Sequence, residues 1–193
     1  TVDSVSFFTG DKLNHIKVNK EAILSAGAIG SPHLLQISGI GDGEKIKKHG
    51  IEVVHELKGV GKNLQDHLMF RPVYKLKNIK SLNRDVESLY SKFLMGLQYI
   101  FKQSGPITMG ASQVCAFTKS DPSRATPNLQ FHVQPLSTDI LGVTPMHDFE
   151  GITPTVANIR PSSRGEINIS SNDSRDNPKI KMNYLSTEDD RIV

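Results

Sequence analysis

The sequence predicts a mixed α/β fold, and three observations carry this prediction. Residues 23–37 pass from an apolar stretch through a run of small residues into a short apolar helix. Residues 85–103 place apolar side chains at steps of three and four, which is the spacing of a helix with one buried face. The rest of the chain predicts strands at 113–118, 128–134, 153–160, 165–170 and 179–183.

The chain opens with two segments that predict a β-hairpin. Residues 2–8 alternate apolar and polar side chains, and residues 15–24 form a second extended stretch. Gly10 and Asp11 lie between them and favour a tight turn.

The helix in residues 23–37 has recognisable start and stop signals. Ser31 is a favourable N-cap residue, and Pro32 fits the first helical position. Gly39 is placed to end the helix. The pattern therefore predicts a helix that begins at Pro32.

Three shorter elements complete the prediction. Residues 44–49 predict a helix that ends at Gly50, and residues 51–54 predict a strand. Residues 186–189 read Ser-Thr-Glu-Asp, a pattern typical of a helix start.

Composition restricts the class of protein. The chain has 193 residues, of which 37% are hydrophobic and 22% charged, and this fits one large globular domain or parts of two. The basic residues are scattered, whereas a nucleic-acid-binding protein concentrates them on one face. No apolar stretch approaches the roughly 20 residues that span a membrane. Nucleic-acid binding and a membrane span are therefore not expected.

The only cysteine, Cys115, rules out an internal disulfide and leaves the cellular compartment open. Because it lies in the apolar run 114–117, we expect a small buried side chain rather than a reactive thiol.

Small residues before the first helix suggest a ligand-binding turn. Gly27 and Ala28 would let a ligand approach the backbone closely, and a helix N-terminus presents free N–H groups to negative charge. Dinucleotide-binding folds contact a pyrophosphate in this way. Strand–glycine–helix corners without any ligand are also common, so this turn alone leaves both interpretations open.

Longer motifs resemble those of one family. Residues 27–41 read GAIGSPHLLQISGIG, which resembles the second signature of the glucose–methanol–choline (GMC) oxidoreductases. Residues 59–67 read GVGKNLQDH and resemble that family's Gly-Val-Gly-x-Asn-Leu-x-Asp-His loop. Residues 161–186 are similar to the strand-rich part of the family's substrate-binding domain. Within the family, the chain resembles insect glucose dehydrogenase-like and choline dehydrogenase-like members.

The resemblance implies an organisation into domains. It assigns residues 1–67 to the C-terminal part of a Rossmann-like FAD-binding domain. It assigns residues 68–185 to a substrate-binding domain, an antiparallel sheet flanked by helices. Residues 186–193 would begin a helix that the chain leaves unfinished.

The resemblance also implies an activity. GMC proteins oxidise CH–OH groups of alcohols or sugars by hydride transfer to FAD, and an external acceptor such as a quinone or oxygen removes the electrons. Their catalytic histidine would lie beyond Val193, so the chain by itself is expected to be inactive. Two alternatives stay open, a catalytically inactive protein with the GMC fold and a small-molecule-binding module without redox chemistry.

Candidate site residues follow from the matched motifs. The resemblance places Asp66 and His67 in a loop beside the flavin, although a structural hydrogen-bonding role for His67 fits equally well. His132 alternates with apolar neighbours on a strand and is the candidate for the substrate cavity. No His-x-x-x-His pair suggests a metal site. The expected cofactor-binding residues are Gly27, Ala28, Ser31, Pro32, Asn63, Asp66 and His67.

Overall fold

The computed structural model describes residues 1–110, 112–140 and 142–193. They fold as two compact units. The first unit comprises Thr1–Leu64 and Gly165–Met182, and the second comprises Gln65–Arg164 and Asn183–Val193. Residues 165–182 therefore belong with the N-terminal residues, although they follow the sheet of the second unit in sequence.

Helices and strands occur in both units, as an α/β fold requires. The helices are α1 (Gly27–Ile37), α2 (Gly43–Lys47), α3 (Asn83–Glu87), α4 (Leu89–Lys102) and α5 (Glu188–Ile192), and a 3-10 turn covers Pro106–Thr108. The strands are β1 (Ser4–Thr9), β2 (Lys12–Lys17), β3 (Ile40–Gly41), β4 (His55–Glu56), β5 (Met69–Phe70), β6 (Tyr74–Lys75), β7 (Val114–Thr118), β8 (Leu129–Gln134), β9 (Gly151–Asn158), β10 (Glu166–Asn168) and β11 (Lys179–Lys181).

The predicted N-terminal hairpin is confirmed. β1 and β2 pair antiparallel from Ser4 opposite Lys17 to Thr9 opposite Lys12. Gly10 adopts a φ of 60° in the turn, where glycine is favourable. The second strand ends at Lys17 rather than at residue 24, and the Val18 N–H donates to the Asp3 carbonyl just beyond the last strand pair.

The prediction that the first helix begins at Pro32 is wrong. α1 begins at Gly27, and Pro32 lies inside it. The Ser31 hydroxyl does not cap the helix but accepts a hydrogen bond from the Ala26 N–H at 3.1 Å. The helix ends as predicted, with Gly39 at a φ of 81°.

The strand predicted at residues 51–54 is also wrong. The strand in this region is β4, which follows residue 54 and pairs parallel with β3. The Val54 and His55 N–H groups both donate to the Gly39 carbonyl, which holds the start of β4 beside β3. α2 lies between β3 and β4 and is capped by the Asp42 side chain.

In the second unit, the predicted antiparallel sheet is confirmed for its central strands. The strand order is β5-β9-β8-β7, and β6 also pairs with β9. β8 and β9 are antiparallel, with His132 opposite Thr155. The first unit holds the remaining predicted strands, β10 and β11, as an antiparallel pair.

The helix predicted over residues 85–103 is interrupted at Ser88. Ser88 is extended (φ −73°, ψ 122°), and its side chain accepts the Ser91 N–H, so it serves as the N-cap of α4. The predicted buried face is wrong as well, because Leu89 is 82% exposed and Phe101 79% exposed. α4 is thus an amphipathic helix with much of its apolar side exposed to solvent.

The expectation that Cys115 is buried is wrong, since the structure leaves it exposed. It lies on β7, which is an end strand of the sheet. All residues of β7 are exposed. No helix among the described residues has the length and apolar character needed to cross a membrane.

Candidate cofactor site

The N-terminus of α1 has open backbone N–H groups. Ala26 is the N-cap residue, and its side chain makes no capping hydrogen bond. Gly27 and Ala28 are exposed, and a Cβ added at Gly27 would meet no atom within 4 Å. The first turn also contains no acidic residue.

This turn fits an anionic group such as a pyrophosphate. The first N–H groups of a helix have no partner within the helix, and the helix dipole favours negative charge at this end. Small residues and open space allow such a group to approach the backbone. The N–H groups offered are those of Gly27 and its successors, since the helix begins before Ser31.

Ser31 and Pro32 lie in the second turn of α1 and are half-buried. The Ser31 hydroxyl is bonded to the Ala26 N–H, which stabilises the chain where it enters the helix. In this position Ser31 supports the turn from within the helix.

The loop after Gly59 is packed against β10. Gly61 has a φ of 78°, and an added Cβ would lie 2.1 Å from the Ile167 carbonyl oxygen, so this position requires glycine. The Ile167 N–H donates to the Gly61 carbonyl at 2.7 Å. Leu64 exchanges two backbone hydrogen bonds with Gly165. Asn63, exposed and at a φ of 61°, is held between these two contacts.

Asp66 and His67 belong to the second unit. The Tyr184 hydroxyl donates to the Asp66 carboxylate at 2.7 Å. This hydrogen bond and one from the His67 backbone lower the pKa of Asp66, while the contact with Asp66 raises the pKa of Tyr184. The His67 side chain is exposed at the end of this short segment.

His132 lies on the more buried face of the sheet. Its neighbours across the strands are Cys115 on β7 and Thr155 on β9. Gln130 and Gln134 share its face because they lie two residues away on the same strand. Gln134 accepts a hydrogen bond from Arg71 at 3.1 Å, so this face is polar.

An apolar cavity of about 190 Å³ lies elsewhere in the second unit. His132 does not line it. Its walls come from residues near α3, from the 3-10 turn and from the segment after β8. Among the described residues, no group of three or more His, Cys, Asp or Glu side chains could hold a metal ion.

Sequence reasoning missed three polar residues that organise these segments. Gln36 is 3% exposed and bonds to the backbone of β10. Glu166 accepts hydrogen bonds from Lys45 and Lys62, and these bonds lower its pKa to about 2. The only sequence signal for Gln36 was a polar residue within an apolar helix pattern. In the sequence, Glu166 and Asp190 cannot be told from ordinary surface charges.

The third, Asp190, is a buried carboxylate on α5. Burial alone would raise its pKa, but hydrogen bonds from Ser162 and Ser163 lower it to about 2. Both backbone N–H groups donate to it at 2.8 Å. Asp190 therefore fixes the segment that precedes β10.

Comparison with known proteins gives a consistent result. Residues 2–69 match the family model described as GMC oxidoreductase. Over 187 residues the chain is 38% identical to an oxygen-dependent choline dehydrogenase of Photobacterium profundum, covering 97% of this chain and 33% of the relative. Over 171 residues it is 40% identical to an alcohol dehydrogenase [acceptor] of Pseudomonas putida, covering 88% of this chain and 31% of the relative.

A solved structure shares the fold. A crystal structure of formate oxidase superposes with a TM-score of 0.86 at 22% identity, covering 98% of this chain and 38% of that one. The chain spans about a third of the length of the relatives it matches.

The choline dehydrogenase-like expectation is thus confirmed, while the glucose dehydrogenase-like one stays a prediction. With the motifs at residues 27–41 and 59–67, these matches show that the chain belongs to the GMC oxidoreductase family.

Proposed function

We propose that this chain forms part of an FAD-dependent oxidoreductase that acts on the CH–OH groups of alcohols or sugars. The observation that carries the proposal is the uncapped N-terminus of α1, where Gly27 and Ala28 are exposed and a Cβ added at Gly27 would meet no atom. A phosphate group is the ligand to which such a terminus is suited.

The first unit would bind and orient the cofactor. Bound FAD supplies the acceptor for the hydride that leaves the carbinol carbon. The N–H groups at the start of α1 would hold negative charge, and Gly27 and Ala28 would allow close approach. Ser31 and Pro32 support this turn from within the helix. Asn63, on the glycine loop of the same unit, is the further candidate for contact with the cofactor.

The second unit would serve the substrate. His132 and its glutamine neighbours provide hydrogen-bonding groups suited to a hydroxylated molecule. Asp66, held by Tyr184, would fix the backbone of the segment that carries His67, the last residue of the family motif. The division into an FAD-binding and a substrate-binding domain is part of this proposal.

The relatives support a small hydroxylated substrate. One is named for choline and another for alcohol, and both names describe dehydrogenases. The words oxygen-dependent and acceptor in these names also support an external electron acceptor for this protein, either oxygen or a quinone.

Anaerobic flavin reduction tests the proposal. The full-length protein that carries this chain would be purified, its flavin spectrum recorded, and a panel of alcohols and sugars added without oxygen. We expect bound FAD to be bleached by at least one substrate and reoxidised by oxygen or a quinone. Bound flavin that no substrate reduces would favour the inactive alternative, and protein that binds no flavin would contradict the proposal.

A further inference from the structure

One edge of β10 forms hydrogen bonds with a side chain and a loop instead of a strand. β10 pairs with β11 on one edge, where Glu166 lies opposite Lys181 and Asn168 opposite Lys179. On the other edge the Ile167 N–H donates to the Gly61 carbonyl at 2.7 Å. The remaining backbone groups on that edge would lack partners if only the strands were counted.

Gln36 supplies those partners from α1. Its amide nitrogen donates to the Ile167 carbonyl at 2.9 Å, and its amide oxygen accepts the Ile169 N–H at 3.0 Å. The side chain therefore takes the place of a backbone peptide in a third strand. Because Gln36 is 3% exposed, water cannot replace these bonds at low cost.

The same side chain meets the glycine loop. A Cβ at Gly61 would lie 2.6 Å from the Gln36 amide nitrogen and 2.1 Å from the Ile167 oxygen. α1, the glycine loop and β10 thus meet at one point with no spare space. A shift of Gln36 must move α1 against both neighbours, because close-packed interiors transmit displacement.

We propose that Gln36 is a positioning residue for the cofactor site. Through the backbone of β10, its side chain joins the helix that bears Gly27 to the loop that bears Asn63. The inference rests on the proposed function, since its consequence is the alignment of two cofactor-binding segments. Gln36 lies in the last turns of α1 and does not itself belong to the turn that would contact FAD.

Flavin affinity of the full-length protein tests this role. Gln36→Met keeps the length and burial of the side chain but removes both hydrogen bonds. We expect the Kd for FAD to rise by about tenfold, the effect of losing two buried hydrogen bonds that order the site. Asn128→Ala is the matched control, since Asn128 is also a buried amide that bonds to backbone but lies immediately before β8, in the second unit. It should lower the thermal unfolding midpoint and leave the Kd within about twofold.

A second variant distinguishes positioning from general stability. In Gln36→Glu the protonated carboxyl can donate to the Ile167 oxygen and accept from the Ile169 N–H, whereas the ionised form cannot donate. Burial raises the pKa of such a carboxyl, so FAD binding relative to Gln36→Met should tighten as the pH falls from about 8 to about 6. The other ionisable groups of the unit are present in both variants, so the ratio of the two Kd values isolates position 36. They include His15, His33, His49, His55, Lys45, Lys62 and Glu166.

The outcomes separate this inference from the proposed function. Wild-type protein that binds no FAD would overturn the function itself. Wild-type protein that binds FAD, with an unchanged Kd in Gln36→Met and no pH-dependent recovery in Gln36→Glu, would overturn the role of Gln36. If Gln36→Met fails to fold, the pH-dependent Kd of Gln36→Glu against wild type decides the question by the same criterion.

Discussion

At the scale of single residues, buried polar side chains supply hydrogen bonds that the short strands leave unmade. Asn83, 1% exposed, donates to the carbonyls of His147 and Phe149 and accepts the Ser137 N–H. Asp190 accepts the N–H groups that precede β10. Such groups stabilise the fold because an unpaired buried donor carries the full cost of its desolvation.

Asp190→Ala should destabilise the protein strongly. The change leaves the Ser162 and Ser163 N–H groups without their acceptor. Ser163 is buried, and an unsatisfied buried donor costs about 1–3 kcal/mol. Denaturant unfolding should show a lower midpoint for this variant. Glu188→Ala, at an exposed carboxylate on the same helix, is the control. Equal midpoints for the two variants would contradict a structural role for Asp190.

Acid should weaken the first unit through Glu166. Its hydrogen bonds with Lys62 and Lys45 lower its folded-state pKa from 4.5 to about 2. Because the folded-state pKa is the lower one, the carboxylate stabilises the fold above about pH 4.5, and this contribution is lost as the pH falls towards 2. Solvent screening at this partly exposed cluster keeps the effect small, at most about 1 kcal/mol.

Glu166→Gln checks this expectation. Its thermal unfolding midpoint should fall less steeply than that of the wild type between pH 5 and pH 2.5, in about the range set by the two pKa values. Parallel curves for the two proteins would show that the lysine contacts do not stabilise the carboxylate.

At the scale of elements, hydrophobic pattern predicted the existence of strands better than the limits of helices. β8 was predictable because polar and apolar side chains alternate along it, as on a half-buried strand. β7 was predictable as a short apolar run, although all its residues are exposed. The start of α1 was predicted too far along the chain. Ser31 and Pro32 are residues typical of a helix start, but here they lie inside the helix. The break at Ser88 escaped the pattern because apolar spacing continues through α3 and α4.

Ser88→Ala tests the cap that separates α3 from α4. Without the hydroxyl, the Ser91 N–H loses its acceptor, and loss of such a cap costs about 1 kcal/mol. The thermal midpoint and the helical signal in circular dichroism should both fall. Ser91→Ala retains the backbone donor and should change neither by a comparable amount. A similar loss in both variants would argue against the cap.

At the scale of the whole molecule, the sequence indicated two regions. It did not indicate that the chain returns to the first unit at residues 165–182. Residues 165–182 pack with the first unit because Gly61 and Gln36 bond to the edge of β10, and long-range contacts of this kind leave no local pattern. The candidate site was predictable where motif residues cluster on one element, as at Gly27 and Ala28. It was not predictable where a side chain such as Gln36 bonds to a distant backbone.

The central claim is that the start of α1 lies beside the flavin, and the flavin content of Ala28→Phe tests it most directly. A bulky ring at this exposed position should fill the space that the cofactor needs. Ala125→Phe, at an exposed turn of the second unit, is the matched control. The measurement is flavin absorbance per mole of purified full-length protein. We expect a clear loss of flavin in Ala28→Phe with the control at the wild-type level, and equal flavin content in all three proteins would contradict this placement.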